Sequence, residues 1–194
     1  NSSIAYNAES KVVESMRMNG VLIAQTTPRG GIISGKSSIM QLDAWNWEDA
    51  LIFKNVGIHL NWPSPYTYKR LSSGERTIEK NKNYIKKVKE IKDFFKTSKS
   101  YLPSPKPINL EYEAMRNLFN GNEIIFLHAN SSKQIQDGIL FLSSLKIKKI
   151  VLVGGIYSYK QTDLLIKNKI PVVLKHPHNL PSFIDEDPKI RFRN

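Results

Sequence analysis

The last eighty residues alternate between short apolar runs and amphipathic segments, and this alternation limits the fold more than any other feature. The apolar runs IIFL, IVLV and VVL begin at Ile124, Ile150 and Val172. Between them, residues 135–145 and 158–168 have the hydrophobic spacing of helices. Strands that are apolar throughout are typical of a parallel sheet with both faces covered. The order strand, helix, strand, helix, strand therefore predicts an α/β fold with right-handed crossovers.

The first half of the chain is less regular, but it contains further candidate elements. Apolar runs at 21–25 and 57–61 suit additional buried strands. Residues 77–97 space their apolar side chains as an amphipathic helix does, and residues 110–119 predict another helix. Three prolines within 101–109 predict an extended connector between the two helices.

The net charge of +12 at pH 7 raises nucleic acid as a partner, but the distribution of charge argues against it. Between Lys69 and Lys106 there are 12 Lys or Arg against 4 Asp or Glu. Most of these lie on the helix predicted over 77–97, with no stacking aromatic side chains on its basic face. We interpret the charge as a solvated, lysine-rich helix face.

Length and composition indicate a globular chain. The 194 residues suit one domain, 1–194, with a single core, and no apolar run is long enough to span a bilayer. The absence of cysteine excludes disulfides and thiolate chemistry. The first ten residues lack the pattern of a signal peptide, and both a cytoplasmic and a periplasmic location stay open.

Histidines follow several predicted strands, at the places where ligands of parallel α/β folds gather. His59 and His128 lie at the ends of two predicted strands, and His176 and His178 follow a third. Histidine at such positions can present its imidazole to a metal ion or a proton. Each could equally be a hydrogen-bonded loop residue. Since no complete catalytic set is present, no catalytic residue is assigned.

The segment GGIISGKS at residues 30–37 has the spacing of a phosphate-cradling loop. Such a loop must follow a buried strand directly and open a helix. Here Ile32 and Ile33 place bulk where the backbone must approach a phosphate. We favour a tight glycine loop in which Arg29 or Lys36 faces an anionic group, and keep phosphate or nucleotide binding as an alternative.

Three carboxylates, Asp43, Glu48 and Asp49, flank Trp45 and Trp47 in the segment LDAWNWEDA. Carboxylates beside large aromatic side chains could be acid or base groups with raised pKa values. They could also bracket a packed aromatic cluster at the start of a helix. We favour the second interpretation, with a helix over the following residues ALIF.

The block over residues 19–63, which contains NGVLIAQTTPRGGIISGKSSIMQLDAWNWEDA and then GIHLNWP, resembles the amidohydrolase superfamily, in particular its imidazolonepropionase-like members. The resemblance implies a metal-dependent hydrolase of C–N bonds, in amides or cyclic amides, on a (β/α)₈ barrel. Members bind the metal through a His-x-His pair on the first strand, histidines ending strands five and six, and an aspartate ending strand eight. The metal, for which we expect zinc, lowers the pKa of bound water.

Matching the motifs to the barrel strands assigns one metal ligand. NGVLIAQ resembles the second strand, IIFLHAN the fifth, IVLVGG the sixth and PVVLKHPH the seventh. His128 is then the expected metal ligand, whereas Gly154 and Gly155 stand where many relatives have histidine. The His-x-His pair and the strand-eight aspartate have no counterpart. The resemblance therefore implies a partial TIM barrel, the central piece of a longer hydrolase, inactive in isolation.

The resemblance also implies a substrate mouth lined by His59, Trp62, Arg29, Gly30, Gly31 and Ser34. A small molecule is the expected substrate. Because a partial barrel exposes the edges of its outer strands, we also expect pairing with the remaining barrel segments or self-association. A non-catalytic binding or scaffold relative stays an alternative, since the glycines at strand six suggest a decayed metal centre.

Overall fold

A computed structural model describes residues 2–70, 76–102, 108–175, 178–179 and 189–190. In chain order its strands are β1 (Ile23–Thr26), β2 (Ile33–Gln41), β3 (Leu51–Asn61), β4 (Tyr66–Arg70), β5 (Arg76–Lys80), β6 (Ile124–Ala129), β7 (Ile150–Gly154), β8 (Val172–Leu174), β9 (His178–Asn179) and β10 (Lys189–Ile190). The helices are α1 (Lys11–Met18), α2 (Trp47–Ala50), α3 (Tyr84–Ser100), α4 (Leu110–Phe119), α5 (Ser132–Ser144) and α6 (Thr162–Lys167), with a 3-10 turn at Ser158–Gln161. Most of the predicted connector, residues 103–107, lies outside the described residues.

The main sheet has six strands in the order β1-β2-β3-β6-β7-β8 and curls into half a barrel. β3, β6, β7 and β8 are parallel, as the alternation of strands and helices predicts. β1, β2 and β3 are antiparallel, so the sheet is mixed and the expectation of a wholly parallel sheet is wrong. The reason is local: β2 and β3 are joined by a short connection containing α2, which suits antiparallel neighbours.

The run predicted as a buried strand at 21–25 is instead the edge strand β1, whose residues are exposed or half-buried. Among the described strands it pairs with β2 alone, and Ile23 lies opposite Gln41. An edge strand has a neighbour on one side only, so it is less covered than a central strand.

The outer face of the parallel strands forms the hydrophobic core. Ile58 and Leu60 of β3 lie opposite Ile125 and Leu127 of β6, and all four are buried. Helices α3, α4, α5 and α6 pack on this face and contribute Ile91, Phe95, Met115, Leu118, Ile135, Ile139, Leu142 and Leu165. Since side chains of a strand alternate between faces, the residues between these core positions must project to the opposite, concave face.

Local signals determine where the two best-predicted helices begin and end. The Asn109 side chain accepts hydrogen bonds at the start of α4, and Gly121, with φ of 76°, follows its end in the left-handed conformation. At α5, Ser131 and Gln134 form a reciprocal capping box. Both helices therefore match the predictions closely.

Two predicted helices are shorter than expected. The lysine-rich helix begins at Tyr84 instead of residue 77, because Thr77 and Ile78 pair with β4 in a hairpin. The segment ALIF is not helical beyond Ala50, and Leu51 begins β3. Trp45 is 91% exposed, so the expected packed aromatic cluster is also wrong.

No helix in the part of the chain that the structure describes is both long and apolar enough to cross a bilayer.

Candidate functional site

The concave face of the half-barrel carries the side chains that alternate with the core positions, and most of them are polar. His59 and Asn61 project there from β3, and Phe126 and His128 project from β6. The register places His59 opposite Phe126, and Asn61 opposite His128. Each histidine lies between two buried aliphatic residues of its strand. Since neighbouring side chains of a strand point to opposite faces, both imidazoles lie on the face opposite the core.

His59 and His128 make direct contact. The Nδ1 atom of His59 lies 2.8 Å from Nε2 of His128, which is hydrogen-bond distance. The His59 ring also stacks on Phe126 with 4.6 Å between ring centroids and 10° between planes. His59 is only 3% exposed, and its Nε2 atom is buried without a hydrogen-bond partner among the described residues. A buried ring nitrogen without a partner is an unsatisfied polar group of the kind that an additional ligand can satisfy.

Both imidazoles are held in the neutral form. Burial, and to a lesser extent repulsion by His128, lowers the pKa of His59 to about 4. Burial and the nearby ammonium of Lys175 also lower the pKa of His128. At neutral pH the N–H of one ring therefore donates a hydrogen bond to the bare nitrogen of the other across the 2.8 Å contact. Neutral imidazole is the form that binds metal ions.

The two histidines line a pocket of about 580 Å³ on the concave face. Of the six residues predicted for the substrate mouth, Arg29, Gly30, Ser34 and His59 line this pocket. Its wall also includes the apolar side chains of Phe126, Val153, Val173 and Leu174. The pocket therefore combines polar groups from the loop before β2 with an apolar floor from the parallel strands.

Gly31 belongs to the same loop and contributes through its backbone. The side-chain amide of Asn61 donates to the carbonyl of Gly31 at 2.9 Å and to Ser34 Oγ at 2.8 Å. Gly30 and Gly31 have φ of 93° and 67°, the left-handed region in which glycine is favoured. The two glycines turn the chain into β2, and Asn61 fixes this turn against β3.

Trp62 does not lie in this pocket. Its indole packs in the core against Phe141 and donates to the hydroxyl of Tyr84 at 3.3 Å. Trp62 follows Asn61 directly, so the alternation of side chains places it on the opposite, helix-covered face. Its backbone N–H donates to the carbonyl of His128 at 3.1 Å, which continues the pairing of β3 with β6.

The phosphate-loop alternative for GGIISGKS is excluded by the local structure. The segment leads into strand β2 at Ile33, so no helix N-terminus faces the glycines. Lys36 does not face the pocket, because its ammonium pairs with Glu123 at 2.9 Å. Arg29, which directly precedes the segment, does line the pocket.

The described residues fit a metal ion only in part. No group of three or more His, Cys, Asp or Glu in those ranges could hold one, so the two imidazoles stand alone. At the end of β7, a Cβ atom on Gly154 would come within 2.5 Å of Asn130 Oδ1, so no side chain fits there unless its neighbours shift. His176 lies outside the described residues, and only the backbone pairing of His178 is described.

Several lining residues were given no site role from the sequence, among them Gln25, Thr27, Asn61 and Lys175. Asn61 and Lys175 carried a usable signal. Asn61 follows His59 by two positions on the same strand and therefore shares its face, and Lys175 directly follows β8. Gln25 and Thr27 could not be found in this way, because the antiparallel placement of β1 was not predicted.

These features define a curled α/β half-barrel with a pair of neutral imidazoles in its concave pocket. The fold is similar to that of an amidohydrolase from Thermotoga maritima MSB8, with a TM-score of 0.73 and 17% sequence identity. The similarity covers 90% of this chain and 47% of that protein, so the chain spans about half the length of its structural neighbour. No family model and no curated protein sequence matches the chain. At this identity the likeness shows the fold.

Proposed function

We propose that the chain is the central part of an amidohydrolase-type, metal-dependent hydrolase that cleaves C–N bonds, in amides or cyclic amides. The observation that carries the proposal is the 2.8 Å contact between His59 and His128 on the concave face of a half-barrel. Its support is the likeness in fold to an amidohydrolase. The imidazolonepropionase-like subgroup rests on the sequence resemblance alone.

In this proposal, His59 and His128 together hold a divalent metal ion, for which zinc is the expected species. His128 is the predicted ligand, and His59 joins it because its Nδ1 lies 2.8 Å from His128 Nε2, so a metal ion held by both atoms would replace the hydrogen bond between them. The metal ion would supply a Lewis acid that lowers the pKa of bound water. Zinc sites in enzymes have three protein ligands, so a further ligand must come from outside the described residues.

The other pocket residues bind and orient the substrate. Asn61 fixes the turn into β2 through Gly31 and Ser34, and Arg29 and Ser34 line the pocket beside the imidazoles. Burial keeps His59 neutral, so it can bind a metal ion without competition from a proton at neutral pH. The apolar floor under the pocket excludes water from one side of a bound small molecule.

The remaining part of the barrel would pair with the outer edge of β8, which pairs with no other strand among the described residues. Val173 and Leu174 of β8 are about half exposed, at 51% and 49%. β8 pairs with β7 on one side, and an unpaired strand edge readily accepts another strand. Further barrel segments, or a second copy of the chain, are the proposed occupants of this edge.

Cobalt binding tests the proposal without requiring activity. Titration of the metal-free chain with Co²⁺, followed by visible absorption, should give one site whose spectrum reports nitrogen ligands. His59→Asn and His128→Asn should each weaken Co²⁺ binding at least tenfold. Gln25→Ala is the matched control, since it changes the pocket wall without removing an imidazole, and should bind as the parent chain does. Equal Co²⁺ binding by the parent and the double histidine variant would contradict the proposal.

A second candidate function is a non-catalytic, amidohydrolase-like binding domain. The close approach of Asn130 to Gly154 favours it, because the end of β7 has no room for the histidine found in many relatives. This candidate predicts that the histidine variants leave Co²⁺ binding unchanged while small molecules still bind in the pocket. The same titration therefore separates the two candidates.

A further inference from the structure

Two cationic side chains line the pocket from segments that are distant in sequence. Arg29 belongs to the loop before β2, and Lys175 directly follows β8. The described residues that line this pocket include neither aspartate nor glutamate. The described part of the wall therefore carries two cationic side chains and two neutral imidazoles, with no acidic side chain among them.

Neither cation pairs with a carboxylate among the residues that the structure describes, whereas Arg17, Lys36, Lys69, Arg116 and Lys133 do. Ser34 adds a third donor to the same wall. Its oxygen accepts from Asn61 at 2.8 Å, and its own O–H can still donate to a ligand. Lys175 lines the same pocket as His128. The polar side of the pocket thus presents donors and positive charge.

The rest of the pocket wall has a different character. Phe126, Val153, Val173 and Leu174 are apolar and form one continuous stretch across β6, β7 and β8. A ligand that fills the pocket must satisfy both sides, with an anionic group toward the cations and an apolar body against the strands. A pocket of about 580 Å³ has room for a small organic molecule of this kind.

We infer that the pocket binds a small molecule carrying an oxyanion group, with Arg29 and Lys175 as its ion-pair partners and Ser34 as a hydrogen-bond donor. The inference rests on the proposed function, since it names the substrate class of the same site. Guanidinium groups recognise carboxylate and phosphate oxygens through two parallel hydrogen bonds, and an ammonium acts as a point charge. Arg29 therefore orients the anionic group of the ligand, and Lys175 attracts it.

Binding of glutarate and its neutral isostere glutaramide tests the inference. Both are titrated into the full chain in the presence of a chelator, with binding followed by calorimetry and by backbone amide NMR. Glutarate should bind at least tenfold more tightly than glutaramide and shift the amide signals of residues 30–34. Arg29→Gln and Lys175→Gln should each weaken glutarate binding by about fivefold or more, in line with the loss of one charge-assisted contact. Inorganic phosphate in the same titration shows whether the site prefers carboxylate or phosphate.

The matched control is Lys86→Gln, which removes one positive charge from the exposed face of α3 on the helix-covered side of the sheet. It should leave glutarate binding unchanged. Equal binding of glutarate and glutaramide, or an equal loss in Lys86→Gln, would overturn the inference, because the charge effect would then not belong to this pocket. Since metal is removed by the chelator, this result is independent of the cobalt titration, and either proposal can fail while the other stands.

Discussion

His59 and His128 approach each other diagonally across β3 and β6, with Nδ1 and Nε2 2.8 Å apart, although neither is the register partner of the other. The residue opposite His59 is Phe126, whose ring stacks on the imidazole, and the residue opposite His128 is Asn61. The contact therefore spans two steps of the ladder, within reach of long side chains on neighbouring strands. The two histidines, the Phe126 ring and the Asn61 amide therefore lie side by side on the concave face.

The first prediction concerns the pH dependence of stability. Unfolded histidine has a pKa near 6.5, and the folded-state pKa of His59 is lowered to about 4 by burial. Below pH 6.5 the unfolded chain therefore binds more protons. The stability that the neutral His59 ring contributes to the fold is fully present above pH 6.5 and is lost as the pH falls through 4. The loss of stability between pH 7.5 and pH 5 is about 2 kcal/mol. NMR titration of the His59 ring checks this directly, and a midpoint near 6.5 in the folded chain would contradict it.

The ion pair between Lys36 and Glu123 gives a second prediction. Its side chains are 16% and 2% exposed, and Glu123 Oε1 is buried without a described hydrogen-bond partner. Lys36→Met leaves the carboxylate unpaired and should destabilise the fold by about 3 kcal/mol at pH 7. Burial already raises the pKa of Glu123, so the loss should shrink at lower pH as the carboxylate takes up a proton.

Denaturant unfolding of Lys36→Met at pH 7 and pH 5 measures the effect. The control is the double variant Lys36→Met with Glu123→Leu, which removes both charges and should recover most of the lost stability. A single variant as stable as the parent at pH 7 would show that the pair contributes nothing to the attachment of β2 to the start of β6.

A third prediction concerns Gly57, which lies opposite Ile124 in the β3–β6 ladder. A Cβ atom there would come within 2.5 Å of the Ile124 carbonyl and 2.6 Å of the Phe126 ring. Gly57→Ala should therefore destabilise the fold by about 1–3 kcal/mol and displace the ring that stacks on His59. Chemical denaturation, with the His59 ring signal as a local probe, measures both effects.

Gly138 provides the comparison for Gly57. An added Cβ there meets mainly the far end of the Leu127 side chain, at 2.9 Å, which can rotate away. Alanine is also more favourable than glycine in a helix interior, such as that of α5, by about 1 kcal/mol. Gly138→Ala should therefore be much milder than Gly57→Ala. A reversal of this order would mean that the β3–β6 interface is more adaptable than its contacts indicate.

The fourth prediction assigns a positioning role to Asn61. Asn61→Ala removes the amide that donates to Gly31 and Ser34, and leaves Arg29 and Lys175 unchanged. Amide hydrogens of residues 30–34 should then exchange faster, and glutarate affinity should fall several-fold without any change in charge. Asn81→Ala is the control, since that amide donates to the carbonyl of Ser64 at 2.8 Å outside this pocket. Unchanged exchange in residues 30–34 of Asn61→Ala would show that the backbone bonds alone fix the loop.

Much of the second half of the fold was predictable because its signals are local. The helix over α4 and the strand β8 have the predicted bounds, and α5 begins at a serine cap as expected. In these elements apolar periodicity and capping chemistry agree, so local preference and burial favour the same structure. The first half was less predictable, since β1, β2 and β5 are defined by their partner strands and have weak patterns of their own.

The sequence by itself determined which residues alternate between the faces of β3 and β6, and therefore that His59 and His128 share a face. It also determined that their neighbours in sequence are core aliphatic residues. Only the tertiary structure decided that the two rings touch, that Trp62 belongs to the core, and that Lys175 joins Arg29 in one pocket. The physical reason is range: alternation and capping act between residues a few positions apart, whereas these contacts depend on sheet register and curl, which join segments up to 146 residues apart.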